Sequence, residues 1–219
     1  MDDNPDEPLK LVFTFDDGHH SIYDRAFPIM QDYGFRGTNF VNSGLIGGQG
    51  MMSWDQIREM EHIYNWETGA HTLNHEDLTQ MNLGDAIANI EADKQNLRDQ
   101  GLNPVSFALP KGQAPYDLYP TLMNLFDYLR GSSDFAMHRP INRYALGYLP
   151  YQSKWSADLI KARILRGISN SEDLIIIGFH RFDDDEDIFP DSCSSSVFRE
   201  ILDFVDSLKL DVIPLNEAF

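Results

Sequence analysis

The chain has 219 residues, 42% of them hydrophobic and 24% charged, which suffices to bury a core of one domain's size. Its 35 acids against 17 bases give a net charge of −18, the wrong sign for binding nucleic acid or an anionic membrane surface. A single cysteine, Cys193, excludes an internal disulfide and a thiolate metal cluster, and no apolar stretch reaches membrane-spanning length.

The start, Met1-Asp2-Asp3-Asn4-Pro5, is acidic and lacks a signal peptide's basic and apolar regions. The expectation is a cytoplasmic chain, or an extracellular or cell-surface one whose leader has been removed. Residues 1–8 read as a flexible segment and 9–219 as one domain. Segments of strand length at 11–15, 37–41, 67–70, 105–109, 145–149, 174–179 and 210–214, most of them apolar, read as strands. They alternate with helical patterns at 22–33, 54–64, 83–100, 116–126, 157–167 and 196–208. Ser53 and Ser156 stand at N-cap positions, and Gly34 and Gly101 where helices should stop. Several strands are apolar throughout rather than alternating, as in a parallel sheet buried on both faces. This order predicts an α/β fold, either a (β/α) barrel or a doubly wound sheet. The chemically interesting residues all follow strand ends, where a barrel would gather them on one rim; that favours the barrel.

The first strand ends in Thr14-Phe15-Asp16-Asp17-Gly18, two adjacent carboxylates at a glycine turn that can swing both toward one opening. Two such acids repel each other unless a cation or a proton separates their roles. The third strand is followed by His71-Thr72-Leu73-Asn74-His75, whose imidazoles, four residues apart, would share one side of a helical turn. Two His and one Asp form a common catalytic zinc set with an open position for water. His180 follows the apolar run at 174–179.

These segments resemble the polysaccharide deacetylase family, also called carbohydrate esterase family 4 or the NodB homology domain, over nearly the whole chain. The likeness rests on Thr14-Phe15-Asp16-Asp17-Gly18, on His71-Thr72-Leu73-Asn74-His75 preceded by Glu67-Thr68-Gly69-Ala70, and on Ile175-Ile176-Ile177-Gly178-Phe179-His180. The resemblance implies a deformed (β/α) barrel of about seven strands, with Asp17, His71 and His75 holding Zn2+ or another divalent transition metal. It implies Asp16 as general base, His180 as general acid and the Lys111 backbone N–H as an oxyanion donor. The implied reaction is hydrolysis of acetyl groups on N-acetylhexosamine units of a glycan. The alternatives are a C–N hydrolase of a small linear or cyclic amide, and a catalytically silent carbohydrate-binding domain.

Two departures from the family pattern carry expectations of their own. The arginine that usually tethers the base is replaced by Ala108, so another group must orient Asp16; the candidates are Arg139, Arg143 and Arg163. Gly178 stands where a bulky aliphatic usually lines the acyl pocket, which leaves the pocket wider or filled from another strand. Tyr151 and Trp155, near a rim loop, are the expected stacking faces for sugar rings, whereas Trp66 beside a strand belongs to the core. The acidic run Asp183-Asp184-Asp185-Glu186-Asp187 reads as a solvated loop.

Overall fold

A computed structural model describes residues 8–184 and 189–219. The expected N-terminal segment, apart from the exposed Pro8, and residues 185–187 of the acidic run lie outside these. In chain order β1 (Lys10–Asp17), α1 (Phe27–Asp32), β2 (Thr38–Val41), α2 (Trp54–His62) and β3 (Glu67–Ala70) come first. Then follow α3 (Leu83–Asp99), β4 (Ser106–Ala108), α4 (Tyr119–Leu125), β5 (Tyr128–Arg130) and β6 (Leu149–Pro150). The last elements are α5 (Ala157–Ser169), β7 (Leu174–Phe179), a small pair β8 (Arg181–Phe182) and β9 (Ser192–Cys193), and α6 (Ser195–Ser207). Ser53 caps α2 in a full capping box with Gln56. The helix expected at 22–33 begins as a π-helical turn, Ile22–Ala26, and becomes α-helical at Phe27. Pro28 explains the change, because it has no N–H to return to the preceding turn.

Seven strands form one parallel sheet in the order β5-β4-β3-β2-β1-β7-β6. Leu146, just before β6, also bridges Arg130 on β5 in parallel. The stretch 146–150 therefore touches both edges of the sheet and curls it into the deformed barrel that the strand–helix alternation predicts. The strands differ from expectation in several places; that expected at 145–149 forms only at Leu149–Pro150. The run at 210–214 makes only a single bridge, Val212 to Leu11, and β5 takes the seventh place instead. At three residues, β5 is too short to give a periodic signal.

Strand parity divides the core. Leu11, Phe13 and Phe15 of β1, with Ile175, Ile177 and Phe179 of β7, pack into the larger cluster under the helices. Val12, Leu174 and Ile176 belong to a smaller cluster with Phe40, Ala108, Met137, Leu146 and Tyr148, inside the barrel. Both faces are apolar, which is why these strands read as unbroken hydrophobic runs. The same period of two puts Thr14 and Asp16, and across the Thr14–Gly178 pairing Gly178 and His180, on the barrel side. A Cβ on Gly178 would run into the ring of Tyr148, so the space left by the missing side chain is filled from the stretch before β6. Gly178→Val is expected to destabilise the fold by about 1–3 kcal/mol, read as a lower urea midpoint; an unchanged midpoint would mean that Tyr148 moves aside freely.

Candidate active site

β1 delivers two acids to the C-terminal mouth of the barrel by different routes. Asp16 keeps strand geometry and faces inward, only 2% exposed. Asp17 itself turns into the left-handed region (φ 72°) ahead of Gly18 (φ 79°). The turn starts one residue earlier than the glycine suggests, on a residue type that tolerates this conformation better than most. It brings Asp17 back to the opening that Asp16 already faces.

The His71–His75 segment is a loop rather than the expected helical turn. Thr72 (φ 69°) and His75 (φ 61°) are left-handed, and these two reversals, instead of helical periodicity, aim both rings at Asp17. His71 Nδ1 donates to the Ala108 carbonyl at 2.8 Å, which leaves the lone pair of Nε2 facing the site. His71 Nε2 and His75 Nε2 stand 3.5 Å and 3.7 Å from Asp17 Oδ1. One ligand atom from each of the three residues lies within 4.8 Å of the others. Burial lowers the His71 pKa to about 4 against the pull of Asp16 and Asp17, so the ring is neutral at pH 7. A neutral imidazole is the form that binds a metal.

The trio fits a divalent ion. Ligands about 2.1 Å from a tetrahedral centre are about 3.4 Å apart, close to the two Nε2–Oδ1 separations, which are long for hydrogen bonds. Asp17 Oδ1 is buried without a hydrogen-bond partner among the described residues.

Asp16 is oriented by Arg130, not by Arg139, Arg143 or Arg163. Arg130 Nη2 donates to Asp16 Oδ2 at 2.7 Å, and the two side chains are 1% and 2% exposed. Arg163 instead pairs with Asp134 and Glu172, Arg139 with Asp173 and Arg143 with Asp127. Arg130 pairs in register with Ala108, so the guanidinium comes from the strand next to the one where the family pattern puts its arginine. Its Cζ lies 3.8 Å from the centre of the Tyr148 ring and 5.1 Å from that of Phe40. The two rings support it on the way across the barrel. Neither Arg130 nor Tyr148 stands out in the sequence; the only hint is that Tyr128-Leu129-Arg130 ends at a glycine.

Burial pushes the Asp16 carboxyl up, but the opposing pull, chiefly from the Arg130 guanidinium, outweighs it and holds Asp16 below the usual carboxylate range. Its Oδ1 is buried and unpartnered among the described residues. His180 follows β7 and places Nε2 3.8 Å from Asp16 Oδ2.

The remaining expected residues fall in different places. Lys111 lies just past β4 in a left-handed conformation (φ 55°), at the same barrel end as Ala108, and its Nζ pairs with Asp77 Oδ2 at 3.2 Å. Tyr151 offers no stacking face: it is 1% exposed, its ring stacks on Phe179, and its hydroxyl donates to the Trp155 carbonyl. Trp155 is half-buried against the same helix-side cluster, so neither ring lies with Asp16 inside the barrel. The cause is parity. Pro150 pairs with Gly178, which puts the next residue level with the outward-facing Phe179. Of the acidic run, Asp184 accepts from the Ser195 backbone at the start of α6 and pairs with Arg25.

The sequence profile of the polysaccharide deacetylase family matches residues 3–125, more than half of the chain. The chain belongs to the polysaccharide deacetylase family. Asp16, Asp17, His71 and His75 fall inside the matched stretch; Arg130 and His180 lie beyond it. A Bacillus subtilis protein, YxkH, is 35% identical over 82 residues, which make up 37% of this deacetylase-family chain and 28% of that protein. The poly-β-1,6-N-acetyl-D-glucosamine N-deacetylase of Staphylococcus aureus is 31% identical over 81 residues, 34% of this chain and 28% of that enzyme. The match therefore spans 28% of the length of each of these curated relatives. A solved family 4 acetyl xylan esterase from Clostridium thermocellum, in complex with a cobalt ion, superposes with a TM-score of 0.67 at 17% identity. That likeness covers 95% of this chain and 89% of the esterase and speaks for the fold. Among the described residues, no helix is long and apolar enough to cross a membrane.

Proposed function

We propose that this chain is a metal-dependent hydrolase that removes acetyl groups from N-acetylhexosamine units of a polysaccharide or cell-wall glycan. The observation that carries the reading is the meeting of Asp17, His71 and His75 beside a separate buried acid, Asp16, whose charge Arg130 maintains. Asp17, His71 and His75 would hold the ion, with zinc the first choice for one carboxylate and two imidazoles. When bound, a divalent ion supplies Lewis acidity, polarising the acetyl carbonyl and acidifying a water.

The chain's own groups then divide the proton transfers. Asp16, ionised and anchored through Oδ2, offers its unpartnered Oδ1 to the proton of the attacking water. His180 protonates the departing nitrogen, which cannot leave as an amide anion. The Lys111 backbone N–H serves the developing oxyanion at the end of β4. His71, neutral and tied through Nδ1, keeps its other nitrogen available as a ligand.

His71→Ala or His75→Ala is expected to abolish binding of one divalent ion per chain, as measured by elemental analysis after dialysis. The function itself is tested by acetate release from N-acetylglucosamine oligomers and O-acetylated glycans, with and without chelator. The expected result is release from the N-acetylated oligomers that chelator stops and added zinc restores. Hydrolysis of ureides or imides without acetate release would assign the site to small amides. Glycan binding without acetate release under several metals would mean a silent binding domain.

A further inference from the structure

The loop between the two histidines is held by side chains rather than by a helix, and the holders come from one face of α3. Asp93 is fully buried there. Its Oδ2 accepts from the His71 backbone N–H at 3.0 Å, and its Oδ1 from the Ser43 backbone N–H at 3.1 Å. One turn earlier, Asn89 Oδ1 accepts from the Leu73 N–H at 3.1 Å; one turn later, Asn96 Nδ2 donates to Ser43 Oγ at 3.2 Å. Spacings of four and three residues put these side chains on a single helix face. Asn42, beyond β2, completes the support by donating through Nδ2 to the carbonyls of His71 (2.6 Å) and Thr72 (3.2 Å).

Such support has a physical reason. The left-handed conformation costs a β-branched residue such as Thr72 about 1–3 kcal/mol and persists only where the surroundings impose it. The loop also lacks the regular hydrogen bonds that a helical turn would give its N–H groups.

We propose that Asp93 is a positioning residue for the two imidazoles, fixing the His71 backbone against the end of β2 so that both rings stay aimed at Asp17. This rests on the metal-site reading above. The choice of Asp follows from the geometry. Two backbone N–H groups point at it from different segments, and each needs its own acceptor oxygen. Asparagine, of the same shape, has one acceptor and would turn an NH2 group toward the second N–H.

The test is Co2+ titration of the whole chain, followed by the cobalt absorption bands. Wild type is compared with Asp93→Asn and with Glu67→Gln. Glu67 is an equally buried carboxyl, which accepts from Thr38 Oγ1 and the Asn216 N–H away from the loop. Asp93→Asn is expected to weaken Co2+ binding about 10–100-fold and to alter the bands, because the ligand geometry loosens. Glu67→Gln is expected to lower the melting temperature while binding Co2+ as wild type does. Should Asp93→Asn fail to fold, Asn89→Ala, which removes a single loop contact, must weaken binding by about threefold or more. Equal affinity and unchanged bands in the folded variants would overturn the proposal. So would equal losses in Asp93→Asn and Glu67→Gln, since affinity would then merely follow stability. Failure of wild type itself to bind Co2+ would instead defeat the metal site.

Discussion

Asp16→Asn is expected to lower acetate release by about 10³-fold while one metal ion per chain remains bound. Asparagine keeps the shape of the side chain and removes its ability to take a proton. The proposed ligands, Asp17, His71 and His75, are untouched. Asp17→Ala separates the two acids, because it should lose both the ion and the activity. Asp16→Asn also leaves Arg130 buried beside a neutral amide, and breaking a buried pair from one side costs about 3–5 kcal/mol. Turnover should therefore be measured at a temperature where urea melts show the variant folded. Full activity in Asp16→Asn would refute the assignment of Asp16 as the base.

Arg130→Met is the complementary experiment, and it reverses a sign. In the wild type, Arg130 helps hold the Asp16 carboxyl below its ordinary range. That pair stabilises the fold above the unfolded carboxylate pKa, and the stabilisation is lost as pH falls through the depressed folded value. Without the guanidinium, burial dominates and the carboxyl rises instead. The variant should then lose about 3–5 kcal/mol near neutral pH and recover part of this as acid protonates Asp16. The acid limb of its kcat/KM profile should move to higher pH, because Asp16, the proposed base, is charged only there. Arg130→Lys should not restore the wild-type profile, since an ammonium cannot reproduce a planar guanidinium held over the Tyr148 ring while donating to Asp16. Urea melts at pH 5 and pH 8, with the pH–rate profile, measure both effects. A variant with the wild-type acid limb and equal losses at both pH values would show Arg130 to be mere packing.

What could be read in the sequence, and what could not, follows from the range of the interactions. β1 and β7 are legible because burial on both faces makes each a continuous apolar run, whereas β3, Glu67-Thr68-Gly69-Ala70, is buried but not apolar and is legible through its family resemblance; the residues that follow all three fall on one rim. Asp16, Asp17, His71, His75 and His180 could therefore be placed together. The way His71 and His75 converge could not, because a four-residue spacing suggests a helical turn, whereas the chain uses left-handed Thr72 and His75 braced from α3. Arg130 was hidden by the brevity of β5 and by a register that only the folded sheet defines. Tyr151 misleads for a related reason. Its place near the rim is correct, but the β6–β7 pairing turns it toward the helices. Gly178 and Tyr148 are separate in sequence and complementary in space, so the filling of that gap becomes visible only in three dimensions.

Anomalous X-ray diffraction from crystals grown with zinc would show whether Asp17, His71 and His75 share one ion. One anomalous peak per chain is expected, about 2.0–2.2 Å from an Asp17 carboxylate oxygen, His71 Nε2 and His75 Nε2, with Asp16 outside the coordination shell and still on Arg130. A zinc ion held by Asp16 as well, or found elsewhere with these three residues free of it, would refute the division of roles between the two acids.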